Sequence, residues 1–142
     1  MRGSVAAKAL LNRAEQMLYG RLVRAFPGHI VLSQVALSRL LVDAAPSPTA
    51  PGGGARFGQL VADFVVCRAD FTAVAVVELH QGADCRAARP ERLRRKENYL
   101  RAAGVKMVRF AAHDLPTEAA LRALVAALPP HSSRLLPVRH AS

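Results

Sequence analysis

The spacing of apolar positions divides the chain into short segments. From about residue 5 to 26, Leu11, Ala14, Leu18, Leu22 and Ala25 recur at steps of three and four, which predicts an amphipathic helix. Glu15 falls on the same stripe, and Pro27-Gly28 stops the helix because neither residue continues it comfortably. Residues 30–41 read as a strand that finishes in a helical turn at Ser38-Arg-Leu-Leu. Residues 61–67 and 73–79 are two runs rich in Val, Phe and Ala, the length and composition of strands, joined by a short turn near Arg68 to Thr72. A helix follows from about Pro90 to Ala103, with Pro90 in its first turn, Gly104 just past its end, and Leu93, Leu100 and Ala103 as its buried stripe. Val105 to Phe110 reads as a strand. Thr117 to Leu128 closes the pattern as a helix striped by Leu121, Leu124, Val125 and Leu128.

This order predicts an α/β fold, a small mixed β-sheet flanked by helices on both faces. The path from strand 73–79 through the 90–103 helix to strand 105–110 suits a right-handed parallel crossover. Residues 1–128 are expected to form one domain. Residues 44–58, with three prolines and Gly52 to Gly54, read as a mobile loop within it, and 129–142 as a basic, disordered tail.

Folding the two central runs as a hairpin centred between Asp70 and Phe71 pairs position i with position 141 − i. Asp63 then lies opposite Glu78, and cross-strand partners share a face within side-chain reach. Two carboxylates side by side in apolar strands are costly unless something neutralises them, and a divalent cation is the usual answer. The pairing depends on register, since a slip of one residue sends the acids to opposite faces. Lys96, three after Leu93 and four before Leu100, lies on the apolar side of its helix. There its ammonium either snorkels to the edge or meets the acid pair.

Charge narrows the partners. Twenty Lys and Arg stand against ten Asp and Glu, for a net charge of +10. Seventeen of the twenty are Arg, and guanidinium pairs well with phosphate oxygens, so a nucleic-acid partner is favoured over a merely basic surface. Seven basic residues fall within 86–101 (Arg86, Arg89, Arg92, Arg94, Arg95, Lys96 and Arg101) against Glu91 and Glu97. Cys67 and Cys85 lack metal spacing and read as isolated thiols. No run of ~18 apolar residues predicts a membrane span, and polar residues interrupt any leader-like core near the N-terminus, so a cytoplasmic address is expected.

Asn12-Arg-Ala-Glu15 on the first helix, Val61-Ala-Asp-Phe64 and Val77-Glu-Leu79 on the hairpin, Lys96 with Leu100-Arg-Ala-Ala-Gly104, and Val108-Arg-Phe110 stand in a recognisable order. The set resembles the PD-(D/E)XK nuclease superfamily, whose restriction-endonuclease-like core is an αβββαβ unit. More narrowly it resembles the bacterial domain-of-unknown-function family numbered 2726, kin to very-short-patch-repair-like endonuclease domains, over roughly residues 10–127. The resemblance implies a phosphodiesterase using Mg²⁺ (or Mn²⁺) held by Asp63 and Glu78. Lys96 would stabilise developing charge or orient the nucleophile, and Glu15 would reach a metal-bound water. Strand alternation puts His80 on the Glu78 side, where it reads either as a metal ligand or base or as a structural histidine at a strand end. The sequence departs from the pattern at three places. His80 stands where the superfamily has Lys and the narrower family usually Asp, Ala83-Asp84 where the family continues Ser-His, and Leu93 where it carries an Asp.

Three functions follow as expectations. The first is a metal-dependent DNA endonuclease using Asp63, Glu78, Lys96, Glu15 and His80, with Arg86, Arg89, Arg92, Arg94 and Arg95 holding phosphates. The second is a non-catalytic nucleic-acid-binding module on a degenerate nuclease scaffold. The third is an interaction domain for an acidic protein partner.

Overall fold

The computed structural model describes residues 3–43, 57–82 and 91–127. The elements are α1 (Arg13–Ala25), β1 (Ile30–Ala36), a single turn α2 (Leu37–Leu40), β2 (Val61–Cys67), β3 (Ala73–His80), α3 (Glu91–Ala102), β4 (Lys106–Ala111) and α4 (Glu118–Ala126). The expected 44–58 loop lies almost wholly outside the described residues, as do the tail from 129 onward, Ala83-Asp84, Cys85 and Pro90.

The strands form one four-stranded sheet in the order β1-β2-β3-β4. The β1–β2 and β2–β3 pairs are antiparallel, and β3–β4, joined through α3, is parallel. The hairpin follows the expected register over Phe64↔Val77, Val65↔Val76 and Val66↔Ala75, then shifts by one at Cys67↔Ala73. The turn takes up that shift. Phe71 has φ 67, Arg68 N–H bonds the Thr72 carbonyl at 2.9 Å, and the Asp70 carboxylate accepts the Thr72 N–H and hydroxyl.

Alternation along β2 and β3 sorts the interior into two cores. Phe64, Val66, Val77 and Leu79 pack with Leu18, Leu22 and Leu121 on the face covered by α1 and α4. Val65, Cys67 and Val76 pack with Leu37, Leu100 and Val105 on the face covered by α2 and α3. Cys67 is a free, buried thiol, and burial pushes its pKa up.

Two expectations about helix ends are corrected. The first helix begins at Arg13 rather than near residue 5: the Asn12 side chain accepts the Glu15 N–H at 2.9 Å and caps it there. Upstream, Val5 and Leu10 are more than nine-tenths exposed, so no buried stripe exists to stabilise further turns. Ala103 is exposed and lies outside the stripe of α3. The chain turns there, with Gly104 at φ 73 donating to the Arg101 carbonyl and Val105 to the Leu100 carbonyl. That is a Schellman cap, and Val105 and Leu100 meet in the core as its hydrophobic contact. Thr117 caps α4 by accepting the Ala120 N–H at 3.1 Å. Among the described residues no helix is long and apolar enough to cross a membrane.

Candidate functional site

The side chains of Asp63 and Glu78 follow the alternation of their strands onto the face covered by α3. The β2–β3 ladder ends at Phe64↔Val77, and the Asp63 and Glu78 carboxyls meet just beyond that last pair. Glu78 is 5% exposed and, among the described residues, is the one charged residue that is buried. Its carboxyl is hydrogen-bonded to that of Asp63, whose Oδ2 also accepts the Leu79 N–H at 2.9 Å. Lys96, one turn before Leu100 on α3, places Nζ 3.0 Å from Glu78 Oε1 with both side chains largely buried.

Burial, then the hydrogen bond to Asp63, then the charge on Asp63 push the Glu78 carboxyl from 4.5 to about 7; the Lys96 ammonium opposes them without prevailing. At neutral pH the acid dyad therefore holds a proton for a substantial part of the time. With the proton bound, the two carboxyls and the Lys96 ammonium carry no net charge; without it they carry one buried negative charge.

The other expected residues are distributed around this centre. Glu15, half-buried on α1, is met by Gln81 Nε2 at 3.4 Å. Helix α1 covers the opposite face of the sheet, so Glu15 is held near the end of β3 rather than against the dyad. His80 is half-buried at that same strand end; it pairs with Ala111 in the sheet register, and its carbonyl accepts the Ala112 N–H at 2.9 Å. Among the described residues no group of three or more His, Cys, Asp or Glu is placed to hold a metal ion. Arg92, Arg94 and Arg95 are exposed on α3; Arg86 and Arg89 lie outside the described residues. Leu93 is half-buried.

Two polar positions in the same row of the sheet escaped the sequence reading. Arg109 is the β4 partner of Glu78 and is exposed on the dyad's face. Gln34, between the pairs Ser33↔Phe64 and Val35↔Ala62, lies across from Asp63 with φ 54, a strained backbone for a non-glycine residue. The alternation of Val108 and Phe110 about Arg109 carried the first signal. No local signal marks the second.

No curated protein and no solved structure matches the chain. A family model described as protein of unknown function (DUF2726) matches residues 7–128, a span that takes in α1, the whole sheet, the dyad, Lys96 and α4. The chain belongs to the DUF2726 family.

Proposed function

We propose that the protein hydrolyses phosphodiester bonds in DNA with Mg²⁺ or Mn²⁺, as a nuclease of the PD-(D/E)XK kind. The observation that carries this reading is the buried Asp63–Glu78 dyad with the Lys96 ammonium 3.0 Å from Glu78. The donor set suits the cation. Two hard carboxylates converge where one proton now offsets their charge, and Mg²⁺ characteristically takes one or two carboxylates and keeps several waters. Asp63 and Glu78 would hold it. Once bound there it supplies polarisation of the phosphate and a lowered pKa for an attacking water.

The chain's own residues do the rest. Glu78 gives up its proton, and Asp63 keeps its orientation through the Leu79 N–H. Lys96 then faces the reacting phosphate with a fixed positive charge that stabilises the oxygens as their charge grows. Arg92, Arg94 and Arg95 hold neighbouring phosphates from the exposed side of α3. Among the described elements, the order α1, β1, β2, β3, α3, β4, with the single turn α2 after β1, supports a restriction-endonuclease-like αβββαβ core.

Incubating supercoiled plasmid with the protein and Mg²⁺ or Mn²⁺ tests the proposal. Nicking or linearisation that disappears in Asp63→Ala and Glu78→Ala is expected. Uncut plasmid, or cutting that persists in both variants, overturns it.

A second reading is a nucleic-acid-binding module that no longer cleaves. It is favoured by the absence of a third acid or His beside the dyad among the described residues, and by the lysine that already offsets Glu78. It predicts salt-sensitive DNA binding that survives both EDTA and Asp63→Ala.

A further inference from the structure

Outside the dyad, the described surface carries a cleft of about 490 Å³ between α1 and the turn that follows β4. Arg13, Met17 and Arg21 line one wall, spaced four apart along a single face of α1. His113 and Asp114 stand on the other wall. Both walls are anchored. Arg21 Nη1 donates to the Leu115 and Pro116 carbonyls at 3.3 and 2.9 Å, Ala112 N–H bonds the His80 carbonyl, and Asp114 N–H bonds the Ala111 carbonyl.

Three of the polar groups that face the cleft are unspent. The side chains of Arg13, His113 and Asp114 are exposed, and among the described residues they make no hydrogen bond or ion pair. Two guanidiniums outweigh one carboxylate, so the cleft favours an anion. Met17, 45% exposed, gives it an apolar floor beside the charges. A phosphate carrying a sugar or base matches that combination. The location matches as well, because ligands of open α/β sheets bind in the crevice beyond the carboxyl ends of the strands. β3 and β4 end at His80 and Ala111, side by side, and the cleft begins at Ala112. Glu78 is two residues back along β3, about 7 Å at the usual strand rise.

We infer that this cleft binds the phosphate backbone of a nucleic-acid strand as it leaves the dyad around the carboxyl-terminal edge of the sheet. Arg13 and His113 contact phosphate, and a sugar or base rests on Met17. This rests on the nuclease-like reading for the direction of the strand, not for the anion-binding chemistry.

The test is metal-free and needs no turnover. A fluorescein-labelled single-stranded oligonucleotide is titrated with full-length protein in EDTA, and binding is followed by anisotropy across a salt series. The Arg13→Ala/His113→Ala double variant is expected to bind about five-fold or more weakly, with a salt slope reduced by roughly one. Amide NMR shifts on adding the oligonucleotide are expected at Met17 and His113. Met17→Glu supplies an independent variant at the floor of the cleft and is expected to weaken binding likewise. Unchanged affinity in both variants overturns the inference. So does binding of inorganic phosphate or a mononucleotide as tight as that of the oligonucleotide, which would make the cleft a small-molecule site. Plasmid cleavage is scored separately. A wild-type protein that binds through the cleft but leaves plasmid uncut defeats the catalytic reading alone, and one that cuts plasmid normally in the double variant with unchanged affinity defeats the cleft alone.

Discussion

The Lys96 ammonium lies 3.0 Å from Glu78 Oε1, across the space between α3 and β3, with both side chains nearly buried. A buried ion pair contributes little net stability when intact, because desolvation offsets most of the attraction. Breaking it is a different matter. Lys96→Met removes the cation and leaves two carboxyls together, which raises the Glu78 pKa above its already elevated position. At about pH 8 the loss is expected to be on the order of 2–4 kcal/mol, shrinking at about pH 5, where Glu78 is protonated in the folded chain. Urea denaturation at the two pH values checks it, and an equal loss at both would contradict the coupling.

Glu78 gives the protein a specific pH dependence. Its carboxyl titrates at about 7 when folded and near 4.5 when unfolded, so between those values the folded state holds a proton the unfolded state has released. Stability from this group is fully present below the lower value and declines as pH rises through the upper one. Glu78→Gln cannot ionise and should flatten that decline; because it also leaves the buried Lys96 ammonium without its carboxylate, the predicted difference is in the slope with pH and not in absolute stability. The readout is the difference between the two proteins' stability–pH curves, which cancels the titration of every other group.

A cation bound by the dyad competes with that proton. Millimolar Mg²⁺ or Mn²⁺ is therefore expected to raise the melting temperature by a few degrees at about pH 8 and less at about pH 5. Asp63→Asn should remove the effect. A melting temperature indifferent to the metal at both pH values would count against a metal site.

Phe64 is fully buried in the core shared by α1, α4 and the sheet, one residue from Asp63. Phe64→Ala should cost about 3–5 kcal/mol through lost burial and a residual cavity. Asn12→Ala should cost only ~1 kcal/mol, because it removes one cap from α1. Denaturation midpoints with an unchanged m-value would confirm that both act on stability alone.

How much could be read in advance varies from place to place. The α/β class, the strand order of the hairpin and the Asp63–Glu78 juxtaposition were legible because they depend on local periodicity and one turn. Period-2 alternation assigns each strand residue to a face, and the turn sets the register. The capped start of α1 at Arg13 was not, since Leu11 extends the helical spacing while Val5 and Leu10 find nothing to pack against. The slip at Cys67 was also hidden, because it answers to the conformation of Phe71 rather than to any change in composition.

The amino-acid sequence by itself determined which side chains were available: an acid on each arm of a hairpin, a lysine on an apolar helix stripe, and a surplus of arginine. Tertiary structure decided which of them meet. It brought Lys96 onto Glu78 and kept Glu15 behind the sheet with Gln81. It also set Arg109 beside Glu78, and formed a basic cleft from α1 and the turn after β4, nearly a hundred positions apart. The reason is physical. Alternation and spacing specify a face, but the distance between faces, and the burial that lifts Glu78 to about 7, exist only once the helices pack on the sheet.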